Sequence, residues 1–96
     1  MDNSLLIRAL TAWNASRADP ERAESAARAV IAECGAGDAE ALVVGLRTCG
    51  WLARIRFEHE RALETLAEAY RIAVRHGLRH RAADVLITRA GVHLET

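Results

Sequence analysis

Arg47, Trp51 and Arg54 are the side chains of this sequence whose types and spacing are best suited to hold another molecule. The intervals of four and then three positions put them on one face of an α-helix. A guanidinium binds a carboxylate through paired N–H groups, and Trp and Arg are enriched at positions that dominate binding energy. The pattern favours binding of an extended or helical peptide that carries an acidic group. In the other interpretation, Trp51 packs on a neighbouring helix and the arginine stems cover apolar surface.

Residues that could serve in catalysis or hold a metal ion are scattered along the chain. His76 and His80 are four positions apart, but Gly77 interrupts the helix between them, so capping of a helix end is favoured over a zinc site. Cys49 lies at a tight helix-packing position, which suits an unreactive thiol. The sequence contains no glycine-rich phosphate loop, nucleophile motif or pair of catalytic acids. We therefore predict that the chain is not an enzyme and uses no catalytic residue, cofactor or metal ion.

The composition narrows the classes of partner. The formal net charge is zero, because thirteen basic residues, all of them arginine, balance thirteen acidic ones; this argues against a nucleic-acid partner. No apolar run approaches the roughly 18 residues needed to cross a bilayer, so we expect no membrane partner and a cytoplasmic location. Cys34 and Cys49 lack the C-x-x-C spacing of a metal or redox pair and are expected to be reduced, buried thiols. The expected partner is a protein or peptide.

Apolar residues recur at the helical period along the chain, and no segment alternates with period two. Five helices are predicted, and the corners between them are short enough to make neighbouring helices antiparallel. Their approximate bounds are 4–15, 20–34, 38–56, 58–76 and 79–95. The expected fold class is all-α, in a single domain that covers residues 1–96.

Several residues mark the ends of the predicted helices. Asp19 fits an N-cap, and Pro20 fits the first position of the second helix, where its missing N–H costs nothing. Asp38 is the predicted cap of the third helix. His76 followed by Gly77 predicts the end of the fourth helix, because a glycine after the last turn readily takes a left-handed conformation.

The sequence repeats itself with a period of about forty residues. Gly91 stands forty-one positions after Gly50, and aligning the two glycines brings apolar residues onto apolar residues. The matched pairs are Ala41 with Ala82, Val44 with Val85, Leu46 with Ile87, Cys49 with Ala90, and Ala53 with Leu94. The small residues Gly50, Ala62 and Ala69 would let two helices pack at close range. Repeats of 20–50 residues are typical of solenoids built from stacked hairpins.

In these positions the chain resembles the tetratricopeptide repeat (TPR) family. The residues in the family's places are Leu46, Cys49, Gly50 and Ala53 in the first helix and Ala62, Leu66 and Ala69 in the second. The resemblance implies a short right-handed solenoid of antiparallel helical hairpins, in which five helices make about two and a half repeats. Two departures, a repeat longer than the family's and no proline near Val74, suggest an extended second helix.

The resemblance also implies where a partner would bind. In the family, the first helix of each hairpin lines a concave groove that takes a peptide or a partner helix. Carried over by position, the groove residues are Trp13 from the first hairpin, Val44, Arg47, Trp51, Arg54 and Ile55 from the second, and Thr88 and Val92 from the third. The first functional hypothesis is therefore a protein-protein interaction module that uses this face.

The fifth helix has no second helix after it in the sequence, so its apolar stripe of Ala83, Ile87, Ala90 and Leu94 would face solvent. Exposed apolar stripes promote self-association. The alternative hypothesis is a structural or oligomerisation module, either a homodimer formed through the C-terminal helix or a fragment of a longer protein. The chain is similar to repeat regions of actinobacterial proteins that carry a caspase-like CHAT protease domain, and to repeat regions of large bacterial regulators. This similarity implies that the module functions as part of such a larger protein.

Overall fold

The computed structural model describes residues 3–95 and shows an all-helical chain in that range, with five α-helices and no strand. The helices are α1 (Ser4–Ala15), α2 (Pro20–Glu33), α3 (Ala39–Ile55), α4 (His59–Arg75) and α5 (Arg79–Glu95). The all-α prediction is confirmed, and each helix end lies within one residue of its predicted position. Residues 1, 2 and 96, which the predicted domain includes, lie outside the described part of the chain.

Each helix packs against its neighbours in the chain, and successive odd-numbered helices also pack against each other. α1 contacts α2 and α3, α2 contacts α3, and α5 contacts both α3 and α4. α3 is the central element, because all four other helices pack against it. The shortest dimension of the described chain is 18 Å, which fits two layers of helices that are each about 10 Å across.

α3 and α5 run parallel and in register. Three side-chain hydrogen bonds join them, and in each one the bonded residues are 41 positions apart. The bonded pairs are Glu40 with Arg81, Arg47 with Thr88, and Arg54 with Glu95. The offset of 41 residues is the same at both ends and in the middle, so α3 and α5 lie side by side in one register along their whole length. His59 at the start of α4 lies beside Glu95 at the end of α5, so α4 and α5 are antiparallel.

The predicted cap of α2 forms, and the predicted cap of α3 does not. The carboxylate of Asp19 accepts a hydrogen bond from the backbone N–H of Arg22 at 3.2 Å, with Pro20 in the first helical position. Asp38 stands at the N-cap position of α3, but its side chain gives no cap hydrogen bond. It accepts instead from the backbone N–H of Gly35 at 2.9 Å. The Asp38 carboxylate therefore stabilises the corner that precedes α3 and does not cap the helix.

α3 and α4 end in the same backbone motif with different residues at its left-handed position. After α4, Gly77 takes φ +69°, as the sequence predicts for a helix end, and the next backbone N–H donates into the last turn at 2.8 Å. After α3, Phe57 takes φ +62°, and the next N–H donates into the last turn at 2.9 Å. A residue with a Cβ is strained in this conformation. Phe57 is 79% exposed, so burial of its ring does not compensate for the strain.

The close packing predicted between two helices is present between α3 and α4. Leu66 of α4 leaves no room for a Cβ at Gly50, and Ala62 and Ala69 are fully buried in the same interface. The core around this contact also holds Val43, Leu46, Ala53, Ala73, Val85 and Val92. Thr48 is buried as well, but its hydroxyl donates to the carbonyl of Val44 one turn earlier at 2.9 Å, so its polar group is satisfied.

Candidate functional site

Trp13 of α1 and Trp51 of α3 meet on one face of the molecule. Their ring centroids are 6.3 Å apart at an interplanar angle of 64°, an edge-to-face contact. Three guanidinium groups lie over the two rings: that of Arg47 is 3.8 Å from the centroid of Trp13, and those of Arg54 and Arg17 are 4.8 and 5.5 Å from the centroid of Trp51. These five residues form what we call the tryptophan face.

Arg47 is held in place by α5. Its Nε donates to Oγ1 of Thr88 at 2.9 Å, and its Nη1 lies 3.9 Å from a carboxylate oxygen of Asp84. Burial lowers the pKa of the Arg47 guanidinium, and the charge of Asp84 opposes this effect. The group still carries its proton at neutral pH, as arginine does in proteins. Arg47 therefore links α1, α3 and α5, with part of its hydrogen-bonding capacity used inside the chain.

Arg54 is also engaged with α5. Its Nε donates to Oε1 of Glu95 at 2.7 Å, and the other oxygen of this carboxylate lies 3.1 Å from Nε2 of His59. The hydrogen bond with His59, followed by that with Arg54, lowers the pKa of the Glu95 carboxyl. The guanidinium of Arg54 lies against Gly91, where an added Cβ would be 2.8 Å from Nη1. Gly91 therefore makes room for a charged side chain, whereas Gly50 makes room for a leucine.

The structure separates the eight predicted partner-binding residues into three groups. The four that come together on the tryptophan face are Trp13, Arg47, Trp51 and Arg54. Val44, Thr88 and Val92 are buried by neighbouring helices and, contrary to expectation, offer almost no surface to a partner. Ile55 is 39% exposed at the end of α3. The exposed part of the predicted groove is therefore smaller than the sequence suggests, and it centres on the two tryptophans.

A cavity of about 250 Å³ opens beside the tryptophan face. It is lined by Trp13, Asn14, Ser16, Arg17 and Trp51. Asn14 and Arg17 are exposed, and Arg17 forms no ion pair with any described residue. The indole N–H of Trp51 is buried and has no acceptor within residues 3–95. A buried donor left without an acceptor costs about 1–3 kcal/mol. Three polar groups therefore lie close together. They are the amide of Asn14, the guanidinium of Arg17, which has no carboxylate partner among the described residues, and the indole N–H of Trp51, which has no acceptor there.

Asn14 and Arg17 were not among the residues predicted from the sequence. Arg17 stands four positions after Trp13, which is the spacing that keeps two residues on one helical face. The sequence pattern places Arg17 in the corner after the first helix, and α1 does end at Ala15. The hydroxyl of Ser16 donates to the carbonyl of Trp13 at 2.7 Å, so the chain keeps its turn beyond the helix end. That continued turn brings Arg17 over Trp51.

Other features of the described chain offer less to a ligand. A larger cavity of about 810 Å³ lies at the corner between α3 and α4, lined by Phe57 and the acidic first turn of α4, where carboxylates interact favourably with the helix dipole. No group of His, Cys, Asp or Glu within residues 3–95 is arranged to hold a metal ion. Burial raises the pKa of the Cys34 and Cys49 thiols, which disfavours the reactive thiolate.

None of the helices in the described range has both the length and the apolar character required to cross a membrane. Comparisons of the chain with protein-family models, with curated proteins and with solved structures gave no match.

Proposed function

We propose that the chain is a TPR-like helical-repeat module that binds a protein or peptide partner at the tryptophan face. In this proposal, the antiparallel hairpins stack as a short right-handed solenoid of about two and a half repeats. The chain would act by binding and not by catalysis. A cytoplasmic location suits the module, because Cys34 and Cys49 are both free thiols.

The contacts between helices support a repeated architecture. The hydrogen bonds between α3 and α5 all join residues 41 positions apart, the interval that separates Gly50 from Gly91 in the sequence. α1 and α2 pack on α3, and α3 and α4 pack on α5, so each pair of helices contacts the first helix of the next unit. Stacking of this kind, in which each unit contacts only its neighbours, is the defining property of solenoids.

The observation that carries the binding proposal is the pairing of Trp13 with Trp51 beside the cavity that Arg17 and Asn14 line. Arg47 and Arg54 are bound to α5, so they shape the face and hold it rigid. Arg17 has no carboxylate partner among the described residues and lies over the Trp51 ring. It is therefore the cation best placed to take an acidic group from a partner, while the indole rings supply apolar contact area.

Selection of short random peptides on the immobilised chain tests the proposal. Selected peptides should carry an Asp, a Glu or a free C-terminal carboxylate. The Arg17→Ala variant should bind them about tenfold more weakly, as expected for a lost charge-assisted hydrogen bond. The Arg17 side chain has no hydrogen-bond or ion-pair partner among residues 3–95, so circular dichroism of this variant should remain that of the wild type.

Arg71→Ala is the matched control for the selection experiment. Arg71 is exposed on α4 and forms no ion pair with a described residue. Its removal changes the net charge by the same amount as Arg17→Ala, but on α4, which contributes no residue to the tryptophan face. Equal loss of affinity in the two variants would show that only the overall charge matters and would count against the tryptophan face.

A second candidate function is the oligomerisation module, and the exposure of the apolar residues of α5 favours it. Ile87 is 69% and Leu94 89% exposed to solvent. Light scattering coupled to size exclusion distinguishes this candidate: a dimer that dissociates on Leu94→Glu would support it. A monomer at tens of micromolar would argue against it.

A further inference from the structure

Four basic side chains are grouped at the corner between α4 and α5, and we call them the basic corner: Arg75, His76, Arg79 and His80. Arg75 ends α4 and Arg79 begins α5, and Gly77 turns the chain between them. All four side chains are exposed, and none has a hydrogen bond, ion pair or ring contact with a described residue. In a chain whose formal net charge is zero, the corner is a local excess of positive charge.

Two members of the basic corner oppose the electrostatics of their own helix. The N-terminus of a helix carries a partial positive charge, so it favours acidic side chains in the first turn and disfavours basic ones. α2, α3 and α4 each have a glutamate there: Glu21, Glu40 and Glu60. The first turn of α5 has no acidic residue and begins with Arg79 and His80. These two charges therefore do not help α5 to form, and departures of this kind from local rules are found at functional sites.

The equivalent corner of the preceding repeat carries the opposite charge. The hydrogen bonds between α3 and α5 join residues 41 positions apart. Moving back by this interval replaces Arg79 with Asp38 and Arg81 with Glu40. Because α3 starts with acidic residues after a corner in the same place, the packing of the repeat does not require basic residues at the start of α5.

Arg81 shows which chemical group binds the bases of this helical turn. Its Nε donates to Oε2 of Glu40 at 2.9 Å, and its Nη1 lies 3.5 Å from Oδ2 of Asp84. Both partners are carboxylates of the chain itself. Arg79 and His80 stand in the same turn without such a partner. Carboxylates of another molecule would supply them with the charge-assisted hydrogen bonds that Arg81 already makes.

Acidic residues on both sides of the basic corner limit the length of the anion that fits it. Glu68 lies on α4 about two turns before Arg75, and Glu40 and Asp84 lie beyond the corner around Arg81. A nucleic-acid strand or an anionic membrane carries its charge over a longer distance and would meet these carboxylates, and like charges repel. Residues 75–81 also include no Phe, Tyr or Trp on which a base could stack. A segment with a few acidic residues avoids both conflicts.

We propose that the basic corner binds a short acidic segment of another protein. Carboxylates of the segment pair with Arg75 and Arg79, and an apolar residue between them enters a recess of about 320 Å³ in which half-buried Leu78 forms part of the wall. This proposal goes beyond the proposed function, because it uses a different surface. Failure of binding at the tryptophan face would leave it standing, and the reverse is also true.

Fluorescence anisotropy with two labelled peptides tests the proposal on the complete chain. The first peptide is Glu-Glu-Leu-Glu-Glu with both ends blocked, and the second has glutamine in place of each glutamate. The acidic peptide should bind about tenfold or more tightly than the neutral one, because only carboxylates form charge-assisted hydrogen bonds with the arginines. Its affinity should fall with added salt.

Two double variants of equal charge locate the acidic peptide. Arg75→Ala combined with Arg79→Ala should weaken its binding by about tenfold, roughly threefold for each exposed ion pair that is lost. Arg17→Ala combined with Arg22→Ala is the control. Arg17 and Arg22 are also exposed and have no ion pair with a described residue, and Arg22 lies in the first turn of α2 as Arg79 lies in that of α5. The control should change the affinity less than twofold.

Four outcomes would overturn the proposal. No binding of the acidic peptide would remove its basis, and equal weakening by the two double variants would show that only the overall charge matters. Weakening confined to the control would place the peptide at the tryptophan face. Tighter binding of single-stranded DNA or of phosphatidylserine vesicles than of the peptide, abolished by Arg75→Ala with Arg79→Ala, would assign the corner to a polyanion instead.

Discussion

Gly50 of α3 lies so close to Leu66 of α4 that a Cβ built on the glycine would be 2.6 Å from both Cγ and Cδ2 of the leucine. Real Cβ atoms do not approach carbon so closely. Leu66 is completely buried, and the surrounding core leaves its side chain little freedom to move. The register between α3 and α4 therefore depends on a glycine at this position. Because Trp51 is the next residue of α3, the same contact directs Trp51 away from the interface with Leu66.

Replacing Gly50 with Ala should destabilise the fold. Overpacking against Leu66 costs about 1–3 kcal/mol, and the better helix propensity of Ala returns about 1 kcal/mol. We expect the free energy of unfolding, measured by urea denaturation, to fall by up to about 2 kcal/mol.

Gly91→Ala is the natural control for Gly50→Ala, because the two glycines occupy equivalent positions of the repeat. The added Cβ at Gly91 meets the end of the Arg54 side chain, which must shift against its hydrogen bond with Glu95, and the better helix propensity of Ala offsets this cost. We expect a change within about 0.5 kcal/mol, as for a surface substitution. Equal destabilisation by both substitutions would mean that the contact with Leu66 is not what requires Gly50.

Phe57→Gly should stabilise the chain. A left-handed conformation costs a residue with a Cβ about 1–2 kcal/mol, and the greater entropy of an unfolded glycine opposes the gain by about 0.5–1 kcal/mol. The exposed ring of Phe57 contributes little burial. The expected net gain in the free energy of unfolding is about 0.5–1 kcal/mol, again by urea denaturation.

The reciprocal change, Gly77→Ala, should lower the free energy of unfolding by about 1 kcal/mol, because it places a Cβ in the same conformation after α4. Nothing lies within 4 Å of the added carbon, so backbone strain alone is responsible. If Phe57→Gly instead destabilised the chain, the phenyl ring would have a packing role that its exposure does not indicate.

Much of the fold follows from local signals in the sequence. Asp19 with Pro20 fixes the start of α2, and His76 with Gly77 fixes the end of α4. These signals act within one helical turn and need no tertiary information. Asp38 shows the limit of such reasoning, because its carboxylate had two backbone donors within reach and binds Gly35 instead of capping α3. Phe57 shows it as well, since no propensity predicts a phenylalanine at a left-handed position.

Glu95 should make the stability of the chain sensitive to acid. Its folded pKa is lowered by hydrogen bonds, first from His59 and then from Arg54. A carboxylate with a lowered folded pKa stabilises the fold above its unfolded pKa, and this contribution is lost as the pH falls through the folded pKa. Glu24 and Glu33, whose pKa values are lowered by bonded arginines, act in the same direction.

Glu95→Gln tests this contribution by urea denaturation at neutral pH and at pH values below the usual range of a glutamate. The difference in unfolding free energy between the two conditions should be smaller in Glu95→Gln than in the wild type. Glu64→Gln is the control, because Glu64 is exposed on α4 and has no ion pair with a described residue. An unchanged pH dependence in Glu95→Gln would contradict the role assigned to the hydrogen bonds with His59 and Arg54.

The candidate site was less predictable than the fold, for a physical reason. Spacing shows that Arg47, Trp51 and Arg54 share one face of α3, and they do. Spacing within one helix does not show that Thr88 and Glu95 of α5 occupy the two guanidinium groups. Those partners stand 41 positions away and appear only when α3 and α5 are laid side by side. From the sequence, the N–H groups of Arg47 and Arg54 look available to a partner. In the fold, each of these arginines already donates a hydrogen bond to α5.

The central claim is that a peptide binds at the tryptophan face. The two indole N–H signals of the chain, from Trp13 and Trp51, report on this face in a proton–nitrogen correlation spectrum. Titration with a peptide selected on the wild-type chain should shift both indole signals together with the side-chain amide of Asn14, and Arg17→Ala should reduce the shifts at equal peptide concentration. A selected peptide that binds tightly while both indole signals stay in place would contradict the claim.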